Sequence, residues 1–355
     1  MIHQFKVKMS LKAKASVSDV LDSGFIGQGS KVEEFEDLLW QELNSSVRPV
    51  TTNSCTSAIN LALDLIGVEP GDEVISTPQT CFASQVGVIH KNAVIRWADI
   101  CPITGCMDPN SIEKLITKKT KAIIAVNWAG RFCDFKSLKS FGIPVIEDAA
   151  HCWDVFDHNC ERGDYICYSL QAIKFLTSGD GGILIPPKYK EEDARLLRWY
   201  GLDRTKGQSF RCTQNINVAG FKYHMNDISA SIGIENILHA KESVLDHRKN
   251  SKFLIERINN KDIIVPEWDQ HGSYWIFSLH VINGRKNEFM EYMKNNSITV
   301  SPVHYRNDEY DCTIKFREFD LPGVNQFADT QVCIPNGWWL SEDELDYILV
   351  KVNDF

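Results

Sequence analysis

The residue most able to do chemistry in this chain is Lys174, in the run Tyr168-Ser169-Leu170-Gln171-Ala172-Ile173-Lys174-Phe175-Leu176 followed by Thr177-Ser178-Gly179-Asp180-Gly181-Gly182. Ile173 and Phe175 flank it in a stretch too polar and glycine-rich to be plain core. Desolvation there lowers an amine's pKa toward the neutral form that attacks carbonyl carbon. An isolated lysine is usually a solvated surface charge. Lys174 is set apart by its place after a strand-like run, five residues past Ser169, and before a glycine-rich turn that permits close backbone approach.

Two further segments carry chemistry. Val145-Ile146-Glu147-Asp148-Ala149-Ala150-His151 is an apolar run ending in a carboxylate. A buried Asp148 needs a cationic partner, which a protonated pyridine nitrogen or an arginine would supply. Asn53-Ser54-Cys55-Thr56-Ser57 leads straight into a helical pattern. Free amides and the helix dipole at such a start favour a phosphate, although Ser and Thr there also serve as ordinary N-caps.

The elements that must position these residues follow from periodicity. Ser30 and Glu33 resemble a capping box, and apolar residues from Val32 to Leu43 recur at helical spacing, so a helix is expected from about Lys31. A second helix runs from Ser57 to Ile66 and closes at Gly67. Strands are expected at Glu73 to Thr77, Ala93 to Ala98, Ala122 to Trp128, Pro144 to Ala149, Tyr165 to Leu170 and Gly182 to Ile185, with helical spacers such as Asp108 to Ile116. That alternation predicts an α/β domain with a mainly parallel sheet and ligands beyond the strands' C-terminal ends. From Asn226 to about Asn259 the pattern is helical. Beyond it, strand-like pieces at Tyr274 to Val281 and Ile298 to Pro302 flank a helix near Lys286 to Lys294, which predicts a smaller C-terminal α+β domain. The boundary is expected near 235/236, giving domains 1–235 and 236–355.

Composition removes other classes. Of 355 residues, 38 are Lys or Arg and 47 Asp or Glu, a net charge of −9 that disfavours a nucleic-acid binder. The first fifteen residues lack a sustained apolar core and no run approaches a bilayer span, so no membrane association is expected and a cytoplasmic location is. The 11 cysteines include no CxxC pair and read as reduced thiols. His151, Cys152 and His158 lack a fourth ligand at suitable spacing, so no metal is expected. Gly27-Gln28-Gly29 lacks the third glycine of a dinucleotide loop, which counts against an NAD-dependent oxidoreductase.

Taken in order, these segments resemble the DegT/DnrJ/StrS family of pyridoxal-phosphate sugar aminotransferases over nearly the whole chain. The lysine motif is similar to the family's own. Phe25-Ile26-Gly27-Gln28-Gly29 resembles its N-terminal substrate loop, and Thr77-Pro78-Gln79-Thr80-Cys81-Phe82-Ala83-Ser84 its cofactor-face loop. Gly220-Phe221-Lys222-Tyr223-His224-Met225-Asn226-Asp227 resembles the stretch that reaches the neighbouring subunit, and Pro302-Val303-His304-Tyr305 a C-terminal substrate segment. The resemblance implies PLP-dependent transferase fold type I, with a large cofactor-binding domain and a small C-terminal one.

It also implies roles. Lys174 would hold pyridoxal 5'-phosphate and shuttle protons, and Asp148 would pair with the ring nitrogen. His151 would lie near the phenolic oxygen. Cys55, Thr56, Ser57 and Ser169 would surround the phosphate, with Lys222, His224 or Asn226 arriving from the partner of a homodimer. Many members stack an aromatic ring on the cofactor where this chain has Cys81, with Phe82 adjacent; either the thiol covers that face or the loop is shifted by one. The position often occupied by Asn in the inter-subunit stretch is here Lys222 or His224, depending on the branch compared. Gln28, His304 and Tyr305 would contact substrate. Related dehydratases carry histidine in place of the lysine, so Lys174 implies amino transfer from glutamate. The expected acceptor is a nucleotide-linked 4-keto-6-deoxyhexose, giving a viosamine- or perosamine-like 4-amino-4,6-dideoxy sugar. A 3-keto-sugar aminotransferase and a non-catalytic sugar-nucleotide sensor are the alternatives.

Overall fold

In the computed structural model, residues 1–153, 160–205 and 213–355 are described. His158 lies outside them. A seven-stranded sheet is built from β1 (Val50–Thr52), β2 (Glu73–Ser76), β3 (Val94–Trp97), β4 (Thr120–Val126), β5 (Val145–Asp148), β6 (Tyr165–Ser169) and β7 (Gly182–Ile185), in the order β1-β7-β6-β5-β4-β2-β3. The pairs β2/β3, β2/β4, β4/β5 and β5/β6 are parallel, and β7 runs antiparallel to both its neighbours. The central parallel strands β4 and β5 are almost wholly buried, as expected of a sheet covered on both faces. The mainly parallel α/β sheet is therefore as expected, with the carboxylate of Asp148 and the hydroxyl of Ser169 at adjacent C-terminal strand ends.

Helices α1 (Ala13–Ser23) and α2 (Ser30–Glu42) precede the sheet, α3 (Cys55–Ile66), α4 (Ala83–His90) and α5 (Phe135–Lys139) lie between its strands, and α6 (Glu191–Arg198) follows β7. Ser54 caps α3 by accepting the Ser57 N–H, Ala58, Ile59, Leu61, Ala62, Leu63 and Leu65 bury its inner side, and Gly67 ends it at φ 83°. The capping box expected at Ser30 and Glu33 does not form. The carboxylate of Asp227 instead accepts the N–H groups of Gly29, Lys31 and Val32 at 2.7, 3.3 and 3.1 Å. A buried charge is a stronger acceptor than a serine hydroxyl for the positive end of a helix. The spacer at Asp108 to Ile116 is a pair of 3₁₀ turns, Pro109–Ser111 and Glu113–Leu115.

From Asp227 a 31-residue helix, α7 (Asp227–Arg257), runs unbroken past position 235/236, capped by the Asn226 side chain on Ser229 N–H at 2.8 Å. Beyond it, β8 (Ile263–Ile264), β9 (Phe277–Val281) and β10 (Gln331–Ile334) form an antiparallel three-stranded sheet in the order β10-β9-β8. Helices α8 (Lys286–Asn295), α9 (Pro322–Thr330) and α10 (Glu342–Asp354) complete the chain. Leu254, Phe277, Leu279, Phe289, Val332 and Ile348 make a second core, which Ile2 joins from the N-terminus. The strand expected from Tyr274 begins only at Phe277, because Tyr274 adopts φ 56° and turns Trp275 and Ile276 into the larger core. Ile298 to Pro302 is not a strand; it makes single bridges, Ile298 to Ile2 and Ser301 to Cys333.

Candidate active site

Lys174 lies in the loop after β6, its N–H bonded to Gln171 O at 2.9 Å, and its Nζ stands 3.4 Å from the centre of the Trp275 ring. Burial pushes its pKa down to about 8, against the opposing pull of the Asp148 carboxylate. A lysine so placed has a substantial neutral fraction near physiological pH and can act as a nucleophile or base.

Asp148 ends β5 and is 4% exposed. Ser84, in the first turn of α4, donates to Oδ2 at 2.7 Å, and Ala150 N–H donates to Oδ1 at 3.1 Å. Burial raises its pKa despite these bonds. Among the described residues it has no ion-pair partner; the arginine that would answer the alternative reading, Arg162, pairs with Glu147 at 2.7 Å instead. A buried carboxylate with two donors and no bonded cation fits a protonated ring nitrogen delivered by a cofactor.

Above these groups lies a sandwich of rings. His151 stacks on Trp275 with centroids 4.3 Å apart and on His304 at 5.7 Å and 7°. Trp128 meets both imidazoles edge-on at 5.6 and 5.5 Å. Burial holds His151 well below its ordinary pKa and brings His304 to about 4, so both rings are neutral at pH 7. His151 Nδ1 accepts the Ala129 N–H at 3.3 Å, which leaves its proton on Nε2. Three buried polar atoms at this site have no partner: His304 Nε2, Trp128 Nε1 and Gln79 Oε1. Buried polar atoms are normally satisfied, so a cluster of unsatisfied ones marks where a polar ligand would bind.

The segment expected to take a phosphate is the start of α3. Cys55 and Thr56 open α3, where first-turn N–H groups have no partner within the helix. Ser57 N–H donates to Ser54 Oγ at 3.1 Å and its hydroxyl to Asn53 Oδ1 at 2.6 Å. Ser169 pairs with Gly182 across β6 and β7. A Cβ on Gly182 would lie 2.5 Å from Cys55 N, so only glycine lets β7 pass this close to the helix start. Cys55 carries a thiol that burial keeps protonated, well above its ordinary pKa.

Cys81 lies near enough to Lys174 and Cys55 to act on their charges, whereas the Phe82 ring turns to Tyr310, 5.3 Å away. The structure thus brings the thiol, not the phenyl ring, toward the lysine. His304 is held by Gln79 Nε2 on its carbonyl at 3.2 Å, and Tyr305 is 57% exposed with its hydroxyl donating to Glu309.

Among the described residues, Gln28, Lys222, His224 and Asn226 make no hydrogen bond or ring contact with Lys174. Gln28 and Trp199 line a separate cavity of about 560 Å³ together with Arg48, Arg198 and Arg204. His224 packs on Trp199 at 3.5 Å, and its pKa falls to about 4 through burial and the nearby Arg204 and Arg198. Lys222 and Asn226 are exposed; Asn226 Oδ1 accepts the Ser229 N–H that caps α7, which leaves its Nδ2 donors for other partners. Sequence reasoning missed Ser84, Gln79, Trp128 and Trp275, all of which reach the site from loops or helix starts. Gln79 and Ser84 left a signal, as polar side chains in the Thr77 to Ser84 segment already singled out.

Residues 8–353 match the DegT/DnrJ/EryC1/StrS aminotransferase family. The crystal structure of AtS13 from Actinomadura melliaura is 33% identical, covers 100% of this chain and 99% of its own, and superposes with a TM-score of 0.94. That of the sugar aminotransferase CalS13 from Micromonospora echinospora is 30% identical, covers 100% of both chains and has a TM-score of 0.93. The spore coat polysaccharide biosynthesis protein SpsC of Bacillus subtilis strain 168 is 27% identical over 368 residues, 95% of this chain and 92% of that protein. The chain belongs to the DegT/DnrJ/EryC1/StrS family and is a pyridoxal-phosphate-dependent aminotransferase.

Proposed function

We propose that this member of the family transfers the amino group of glutamate to a nucleotide-linked 4-keto-6-deoxyhexose, giving a viosamine- or perosamine-like 4-amino-4,6-dideoxy sugar. The observation that carries this reading is the half-buried Lys174, its amine poised at a pKa of about 8 within the field of an unpaired Asp148 carboxylate. The sugar aminotransferase CalS13 and the polysaccharide protein SpsC, both alike over nearly the whole chain, support a sugar as acceptor.

Bound pyridoxal phosphate supplies a carbonyl that accepts the amino group and a protonated ring that absorbs the electron pair left when the substrate carbon loses its proton. The chain does the rest. Lys174 Nζ takes the proton from one carbon and returns it to another, which a flexible amine at this pKa can do. Asp148, oriented by Ser84 Oγ and Ala150 N–H, would keep the ring nitrogen protonated. His151 would donate from Nε2 to the phenolic oxygen, and Cys81 would cover the open face. The start of α3 at Cys55, Thr56 and Ser57, with the Ser169 hydroxyl, would hold the phosphate. His304 and Tyr305 contact the sugar.

The chain works as a homodimer in the cytoplasm. Support for a second copy comes from large apolar side chains left exposed in the turn before α1, in the 25–29 loop and along α7: Leu11 at 98%, Phe25 at 81% and Leu238 at 78%. Lys222, His224 or Asn226 then reaches the partner's phosphate, and Gln28 the partner's sugar. No described helix is long and apolar enough to cross a membrane.

The test is incubation of the purified protein with pyridoxal phosphate, glutamate and a panel of UDP-, dTDP- and GDP-linked 4-keto-6-deoxy sugars, reading product mass and proton couplings. Amination at C4 of one member is the expected result. Amination only of 3-keto sugars, or of none, would overturn the substrate assignment.

A further inference from the structure

Three aromatic rings stack in series behind the Lys174 amine. Phe5 lies on Trp275 with centroids 5.3 Å apart, Trp275 lies on His151 at 4.3 Å, and Lys174 Nζ stands 3.4 Å from the centre of the Trp275 ring. Indole is the side-chain ring that attracts an ammonium most strongly, and the attraction grows when water is excluded; Trp275 is 4% exposed. The indole N–H donates to Ile173 O at 2.9 Å, one residue before the lysine. A single ring therefore holds both the head of the lysine side chain and the backbone at its root.

The fold goes to some length to place this ring. Tyr274, immediately before it, sits at φ 56°, uncommon for a bulky residue and maintained only where neighbours over-determine it. Those neighbours are Asn336, whose Nδ2 donates to Tyr274 O at 2.9 Å, and Asp269, whose N–H donates to the Tyr274 hydroxyl at 2.6 Å. On the other side, Phe5 is held by its neighbour Gln4, which donates to Cys333 O at 3.1 Å and accepts from Ser301 Oγ at 2.7 Å.

We propose that Trp275 is a positioning residue for the amino transfer, its indole face being the resting place of the Lys174 ammonium whenever that amine is not bonded to cofactor or substrate. The inference rests on the reading of Lys174 as the reactive amine. It explains how a lysine can be released during turnover and stay within reach of the reacting carbons, since the ring offers the ammonium a favourable seat that the apolar flanks Ile173 and Phe175 do not. The other groups facing Nζ are Asp148 from β5, Cys55 from α3, Cys81 and Cys152 from loops, and the neutral imidazoles of His151 and His304. Asp148 favours the charged amine through its carboxylate and burial opposes it. The indole face adds to the side of Asp148.

The test uses the full-length chain freed of cofactor and trace acetylation by acetic anhydride, with labelling of Lys174 followed by peptide mass spectrometry from pH 6 to pH 11. The wild-type midpoint is expected near about 8. Trp275→Leu keeps the apolar bulk and removes the ring face, so its midpoint should fall by about one pH unit, while Trp275→Phe should fall by roughly half as much. An unchanged or raised midpoint in Trp275→Leu would overturn the proposal. Should circular dichroism show that the leucine variant fails to fold, the phenylalanine variant decides in the same way, a downward shift supporting the proposal and none overturning it. Neither sugar nor amino donor enters the measurement, so a failed sugar panel and a failed midpoint shift remain distinguishable.

Discussion

At the scale of the residue, Lys174 and Asp148 have opposed requirements that one burial satisfies. Exclusion of water lowers the lysine and raises the aspartate, and each partly restrains the other. Because the folded lysine is half-neutral near about pH 8, its capture of pyridoxal phosphate should speed up roughly tenfold per pH unit below that value and level off above it. Stopped-flow absorbance on the cofactor-free chain reads this; a plateau reached only above pH 10 would contradict it. Lys174→Ala should lose at least about a thousandfold in turnover, with the thermal transition close to wild type. Asp148→Asn can still accept the Ala150 N–H through Oδ1, with Ser84 Oγ turning to accept from Nδ2, but it cannot hold a ring proton, and a loss of about a hundredfold or more in kcat is expected, with fold retained. Wild-type rates in either variant would remove that residue from the mechanism.

At the scale of the element, two anchors fix the site's periphery. Gly182 lets β7 touch the start of α3, and Gly182→Ala should push the two apart, costing about 1–3 kcal/mol of stability and weakening cofactor retention. Equilibrium denaturation and dialysis report the two effects. Glu36, on α2, is the second anchor. Burial alone would raise its pKa, but Arg198, Arg195 and the Thr51 N–H overcome that and bring it down to about 2. Its folded pKa is below the unfolded value, so it contributes stability above about pH 4.5, on the order of 3 kcal/mol, lost as pH falls toward 2. Glu36→Gln should flatten the acid limb of the stability profile over that window; an unchanged limb would show that the network contributes nothing. These elements also mark how far sequence reading reaches. The strands from β2 to β7 and the helices α2, α3, α7 and α8 were legible because apolar runs and helical spacing are local. The three-residue β1 and the turn at Tyr274 were not, because only tertiary neighbours stabilise them. The Ser30 and Glu33 cap was misread for the same reason: Asp227, nearly two hundred residues away in the chain, supplies the acceptor.

At the scale of the whole molecule, the chain is a large mainly parallel α/β body and a small three-stranded sheet joined by α7. Lys174 and Asp148 belong to the former, while Trp275 and His304 enter from the segments around the latter. The lysine motif, the strand-end aspartate and the order of the remaining segments sufficed to read the family from sequence. The ring sandwich did not show, since Phe5, Trp128, His151, Trp275 and His304 are scattered through the chain and meet only on folding. Gln28, Lys222 and His224 lie away from Lys174 in a single chain, which makes association a prediction of the account. Sedimentation should show a dimer at micromolar concentration, and Phe25→Glu should weaken it; a monomer with full activity would show that one chain suffices.

The central claim is that one particular amine bonds the cofactor, and its most direct test is borohydride reduction of the protein loaded with pyridoxal phosphate, followed by peptide mass mapping. The account predicts a pyridoxyl group on Lys174, absent after Lys174→Ala. A label on another lysine, or none on the wild type, would contradict it.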